Sequence, residues 1–250
     1  MPRRVVLQLG AGVAAALLSG SAQAAQPCPR AEASRPLVMP AEPPAAPSAV
    51  LAPEPGTYSQ QLRPTPLGWP VRDHWCVWIE PGTAQAGTAA AQREQQWRNA
   101  VEGALAEWQP LVGLSLVNDP EAAQLRIWRR RPPLQRLANG RTRASNGRAM
   151  LQLLAVQRLQ SWQAEPRVEV LLGTTQGPLA LQATALHELG HAFGLWGHSD
   201  QAGDAMAVQA GAVPLVRLSE RDRRTLRWLL RQNGRLQPGP RPSERPTTEQ

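Results

Sequence analysis

"HELGHAFGLWGHSD", residues 187–200, joins a helical spacing to an abrupt helix end. In a helix His187 and His191 lie one turn apart, offset by about 40° and about 6 Å along the axis, so both imidazoles can converge on one ion. Glu188 projects beside them without having to bind that ion, which leaves it free to act as a base. Gly194 can adopt the left-handed turn that ends a helix and that is costly for a residue with a side chain. The chain then turns back and brings His198 to a third position, with Asp200 as its substitute if the loop runs differently. Three protein ligands and a free carboxylate suit a catalytic zinc site, whereas a structural site closes its fourth position with protein.

The stretch resembles the metzincin zinc proteases, whose pattern HExxHxxGxxH is matched at His187, Glu188, His191 and Gly194. It departs from them by one residue, because Gly197 stands where the third histidine is expected and His198 follows it. Beyond Gly194 the backbone is no longer helical, so a bulge at Gly197 can absorb the extra residue. An insertion between His187 and His191 would instead swing one ligand about 100° around the helix axis. The matrixin-like branch is matched further along. "HSD" follows the motif, Met206 in "GDAM" matches the Met-turn, and "LSERDRRTLRWLLR" resembles the closing helix, with Ser219 as N-cap and Asp222 in the first turn. The "GLWGHS" spelling is similar to that of a bacterial matrixin-like subfamily with HExxHxxGxxGH spacing.

The resemblance spans residues 71–234 and is specific in the last third. It implies a metzincin-like zincin domain, Zn2+ held by His187, His191 and His198, Met206 beneath the site, and Glu188 as general base of an endopeptidase acting on protein or peptide substrates. Ala207 follows Met206, where the family often has tyrosine. His74 is the one remaining histidine, too few for a second, structural zinc, and reads as a surface or packing residue beside Trp75 and Cys76.

The rest of the domain reads as α+β: a mixed twisted sheet with two long helices and a C-terminal helix. "HWCVWIEPG" alternates and stops at Pro81-Gly82, which predicts a strand over Val71–Glu80. "AAAQREQQWRNAVEGALAEWQPLVG" places Trp97, Ala100, Val101, Ala104, Leu105 and Trp108 on one helical stripe that ends near Pro110 and Gly113. "LSLVN", "QLRIWRR" and "RVEVLLG" read as strands, and "AMLQLLAVQRL" as strand or helix. Either "RVEVLLG", just before the helix of the motif, or "AMLQLLAVQRL" is expected to form the cleft edge on which an extended peptide docks by adding a strand.

Residues 1–24 have the layout of an export signal: Arg3 and Arg4, a mostly apolar run, and the small-x-small site Ala22-Gln23-Ala24. The run is short for a membrane span and Gln8 interrupts it. Export places the chain in the periplasm, the cell envelope or the medium, with no stable span once the signal is removed. Cys28 and Cys76 are the two cysteines, and in an oxidising compartment they read as one disulfide, with two free thiols as the alternative. Residues 25–70 are rich in proline and alanine and read as a spacer, and residues 235–250 as a disordered tail.

With 42% apolar residues in 250, the chain can bury one sizeable core, and a monomer is expected. All 27 basic residues are arginine. Eight of them fall between Arg126 and Arg148, a run that reads as a solvated strand edge or as the lining of a cleft for acidic substrate. No nucleic-acid recognition module accompanies it. The alternative to an exported endopeptidase is a non-catalytic, zinc-stabilised binding protein of the cell envelope. A free Glu188 argues against that, since a structural site needs no base.

Overall fold

A computed structural model of the protein describes residues 27–37, 51–136, 140–208, 211–233 and 235–236. The expected export signal and most of the expected tail lie outside the described residues. In chain order the elements are β1 (Ala33–Pro36), β2 (His74–Ile79), α1 (Ala89–Trp108), β3 (Gly113–Leu116), β4 (Leu125–Trp128), a small ladder of β5 (Gln135–Arg136) and β6 (Thr142–Arg143), β7 (Gly147–Arg158), β8 (Ser161–Leu172), α2 (Pro178–Ala192) and α3 (Glu220–Leu230). They form an α+β fold around a mixed six-stranded sheet in the order β1-β7-β8-β4-β2-β3.

β2 runs parallel to both β3 and β4, and β4 runs parallel to β8. β7 is antiparallel to β8 along its whole length, from Gly147↔Leu172 to Arg158↔Ser161. The two-residue turn between them sets Leu159 and Gln160 at φ 48° and 65°, the paired positive values that match the twist of a tight hairpin. Pro166 lies inside β8 opposite Leu153, yet the ladder to β4 begins only at Val168. It therefore sits where no β4 acceptor waits for its missing N–H.

The ambiguous stretch "AMLQLLAVQRL" is thus a strand. Its central residues Leu154, Ala155 and Val156 are all buried, so it lacks the alternation that marks a half-exposed strand. On α1 the six residues of the expected stripe are the six that are buried. Thr88 caps the helix by accepting a hydrogen bond from the Ala91 N–H at 3.2 Å. Its far end is tied to α2, where the Trp108 Nε1–H donates to the Leu186 carbonyl at 3.1 Å, one residue before His187.

The proline-rich stretch does more than space. Tyr58, Leu62 and Trp69 belong to the main apolar cluster with residues of β2, β4, β8 and all three helices. Trp69 meets Trp228 of α3 edge-on at 5.8 Å between ring centroids, and the Trp228 Nε1–H donates to the Ala52 carbonyl at 2.9 Å. The folded unit therefore begins well before Val71. Proline disfavours regular elements here, but it does not stop isolated aromatic side chains from being buried. At the other end Arg235 forms a fork with the Asp73 carboxylate at 2.6 and 2.9 Å. The expected tail thus starts as an anchored residue.

Cys28 and Cys76 are joined, with Cα atoms 5.8 Å apart. The bond ties the leader to β2, as the even pair suggested. His74 lies within reach of the same two sulfurs, which their bond takes out of play as thiolate ligands.

Candidate metal centre and cleft

α2 starts at Pro178, after Gly177, a position where proline's missing N–H costs nothing. It ends in a two-bond turn. The Gly194 N–H donates to the His191 carbonyl at 2.9 Å and the Leu195 N–H to the Gly190 carbonyl at 3.0 Å, the paired pattern of a left-handed helix stop. Gly194 has φ +112°, and a β-carbon there would meet Val71 Cγ1 at 2.5 Å. Conformation and packing both exclude a side chain.

That turn organises the site. The Leu195 carbonyl accepts from His191 Nδ1 at 2.8 Å, and the Ala205 carbonyl accepts from His187 Nδ1 at 2.8 Å. A carbonyl can only accept, so each Nδ1 carries the proton and each Nε2 keeps a free lone pair. His198 completes the group. Its ring centroid lies 5.2 Å from that of His187 and 4.9 Å from that of His191, and one ring nitrogen from each of the three lies within 4.8 Å of the others. Zn–N bonds of about 2.0–2.1 Å require donors roughly 3.4 Å apart, so small side-chain adjustments bring the set onto one ion. Burial holds His187 and His198 below the usual imidazole range, and burial followed by the neighbouring His187 holds His191 at about 3. All three are neutral near pH 7, the form in which an imidazole can bind a metal.

The extra residue has a specific seat. A β-carbon on Gly197 would run into the carbonyl oxygen of Gln61, and the Arg63 N–H reaches the Trp196 carbonyl at 3.4 Å. The loop bearing His198 thus leans backbone to backbone on the proline-rich stretch, an approach glycine permits. Asp200 is turned away from the histidines and pairs with Arg221 at 2.6 Å.

Met206 is fully buried and lies under α2, where a β-carbon on Gly190 would collide with its sulfur. Its turn is pinned by Asp222, also fully buried. This carboxylate accepts from the Ala205 N–H at 2.8 Å, the Met206 N–H at 3.4 Å, the Ser219 N–H at 3.0 Å and the Tyr58 hydroxyl at 3.0 Å. A continuous chain of contacts therefore runs from Tyr58 through Asp222 and Ala205 to His187. Ser219 as N-cap and Asp222 in the first turn of α3 were legible in sequence; that they form a reciprocal capping box and hold the site was not. Tyr58, hidden in a composition that reads as spacer, gave no sequence signal.

Glu188 points at β7. Its Oε2 accepts from the Ala149 N–H at 2.8 Å, and Gly147 allows the approach, since a β-carbon there would lie 2.7 Å from Glu188 Cγ. Burial raises the Glu188 carboxyl to about 7, against the smaller opposing effects of the Ala149 bond and the Arg148 charge. A carboxylate poised near neutrality in a cleft is suited to take up and release a proton. Beside it opens a pocket of about 430 Å³ whose wall includes Arg143, Ser145, Gln176, Thr184, Val213 and Leu215. Two atoms of that wall, Ser145 Oγ and Gln176 Oε1, are buried without a hydrogen-bond partner.

The arginine run divides in two. Arg126 pairs with Glu121 and Arg129 with Glu94, both at 2.8 Å, while Arg130 lies 4.1 Å from the Trp128 ring centroid. Arg143, by contrast, lines the pocket and Arg148 acts on Glu188. A scan against protein-family models finds no match to this chain, and neither does a search of curated proteins.

Proposed function

We propose that this protein is an exported zinc-dependent endopeptidase with a metzincin-like, matrixin-like catalytic domain. One observation carries the reading: three histidines converge, two of them with Nδ1 tied to a carbonyl, next to a half-buried carboxylate that faces an open sheet edge. His187, His191 and His198 would hold the ion, with Ala205 and Leu195 fixing two of the rings from behind. Bound zinc supplies Lewis acidity and lowers the pKa of a water towards neutrality.

The protein's own residues do the rest. Glu188 takes the proton of the attacking water and delivers it to the leaving amine. The bond from Ala149 keeps its carboxylate at the cleft floor. The substrate lies along β7 rather than β8, because β8 is enclosed between β7 and β4 while β7 carries the edge beside Glu188. The Cys28–Cys76 bond supports an oxidising compartment, and among the described residues no helix is long and apolar enough to cross a membrane. A monomer acting on protein or peptide, without nucleic acid, fits these features.

Two substitutions test the reading. Glu188→Gln should leave nearly one equivalent of zinc bound while lowering peptide hydrolysis on the order of 10²–10⁴-fold. His198→Ala should weaken zinc binding itself, since three ligands become two. Metal analysis alongside a quenched-peptide assay reads both. Full hydrolysis by Glu188→Gln would refute the mechanism. A zinc-loaded protein that cuts nothing across a broad peptide library would favour the envelope binding protein.

A further inference from the structure

β1 is the least integrated strand of the sheet. All four of its residues are exposed, so no side chain anchors it in the core. Its ladder to β7 runs from Ala33↔Gln157 to Pro36↔Leu154 and is extended by the Glu32 N–H to the Gln157 carbonyl and the Leu37 N–H to the Leu153 carbonyl, both 2.9 Å. Three surface contacts add to it. Arg30 pairs with Asp119 at 2.7 Å, the Leu159 N–H donates to Glu32 at 2.8 Å, and the Arg35 guanidinium lies 4.8 Å from the Trp162 ring centroid. The covalent hold is the Cys28–Cys76 bond.

The edge of β7 that β1 covers is the edge that faces Glu188. Alternate residues of a strand present their backbone groups to the same side. Leu153 and Gln157 accept from β1, and Ala149, an even number of residues away, donates to Glu188. Gly147, Ala149 and Leu151 therefore continue this edge, and among the described residues no strand pairs with them on the side away from β8. From Leu153 to Ala149 is about 14 Å of strand, room for roughly four residues of a pairing peptide. A peptide beside Glu188 and the leader strand would lie end to end on one edge.

We propose that β1 is a guard strand, tethered by Cys28–Cys76, which closes β7 from Leu153 onward to substrate and gives way to an extended peptide when an external dithiol reduces the tether to two cysteine thiols and is itself oxidised to a disulfide. The inference rests on the endopeptidase reading for the location of substrate. With the tether intact, the guard is held at high local concentration, and a longer peptide gains no backbone bonds beyond Leu151. Without the tether, β1 has only its ladder and surface contacts to set against an incoming strand that makes the same ladder and continues it to the catalytic centre.

The test uses quenched peptides sharing one cleavable sequence and lengthened one residue at a time on either side. They are offered to the oxidised protein, to the Cys28→Ser/Cys76→Ser double variant, and to Arg35→Pro, which keeps the disulfide but removes an N–H opposite Ala155. For the oxidised protein, kcat/KM should stop rising about four residues along one side of the cut. For both variants it should keep rising, about tenfold or more for the longest peptide. Active proteins with one shared length dependence would overturn the proposal. Arg35→Pro carries the test alone if the double variant does not fold. Hydrogen exchange supplies the second readout, with Glu188→Gln added to each form to keep the longest peptide intact. Peptide should expose the Leu37 amide in the untethered protein and leave it protected in the oxidised one. If zinc binds but no form cuts any peptide, the endopeptidase reading fails, and this exchange pattern still decides whether β1 is displaceable.

Discussion

Glu188 illustrates what a single half-buried carboxyl does to the protein that carries it. Its pKa is raised from 4.5 to about 7, so in the zinc-free protein the proton favours the folded state. That contribution is complete below about pH 4.5 and is lost as pH rises through about 7. Zinc-free Glu188→Gln should therefore match the parent near pH 4 and exceed it near pH 8 by on the order of 3 kcal/mol. His191 acts in the other direction. Held down to about 3, it removes stability as pH falls below about 6.5 in both proteins, so it cancels in the difference. Urea unfolding with chelator at the two pH values measures this, and a pH-independent difference would exclude it. Asp222 makes a separate prediction. Because its carboxylate positions the turn whose Ala205 carbonyl orients His187, Asp222→Asn should lower zinc affinity by roughly 10–100-fold, the usual effect of losing an outer partner of a ligand. Competition with a chromophoric chelator reads it, and unchanged affinity would dissociate α3 from the metal centre.

At the scale of elements, the loop from Gly194 to His198 carries the clearest prediction. Gly197→Ala should displace the loop from Gln61 and weaken zinc binding tenfold or more, whereas Gly203→Ala, where a β-carbon would meet nothing within 4 Å, should leave it unchanged. Equal affinities in a zinc titration would mean that the contact with Gln61 does not position His198. The same loop shows what sequence can convey. Its helix stop and the tolerance of one extra residue follow from local rules at Gly194 and Gly197, and the α1 stripe follows from helical period. β7 has no such signature, because its middle is enclosed on both faces. The position of β1 on β7, and the service of Tyr58 to Asp222 across 164 residues, depend on long-range pairing that no local pattern encodes.

For the molecule as a whole, charge is sorted rather than uniformly spread. Arg126 and Arg129 are neutralised by acidic partners, and Arg143 is left at the pocket. Peptides with an acidic residue next to the cut should therefore turn over faster than neutral ones at low salt, and added salt should erase the difference by screening. Equal rates at low ionic strength would return the whole run to a solvated surface. The contact chain from Tyr58 to Asp222 has a consequence for how such a molecule is made. During synthesis Tyr58 emerges early, but its partner Asp222 is encoded more than 160 residues later. A nascent chain still lacking Ser219–Asp222 carries His187, His191, His198 and Glu188, yet lacks the carboxylate that binds the Ala205 and Met206 N–H groups in the turn behind His187. On the proposed reading, hydrolytic competence would be deferred until translation has passed α3, a form of restraint that needs no inhibitor.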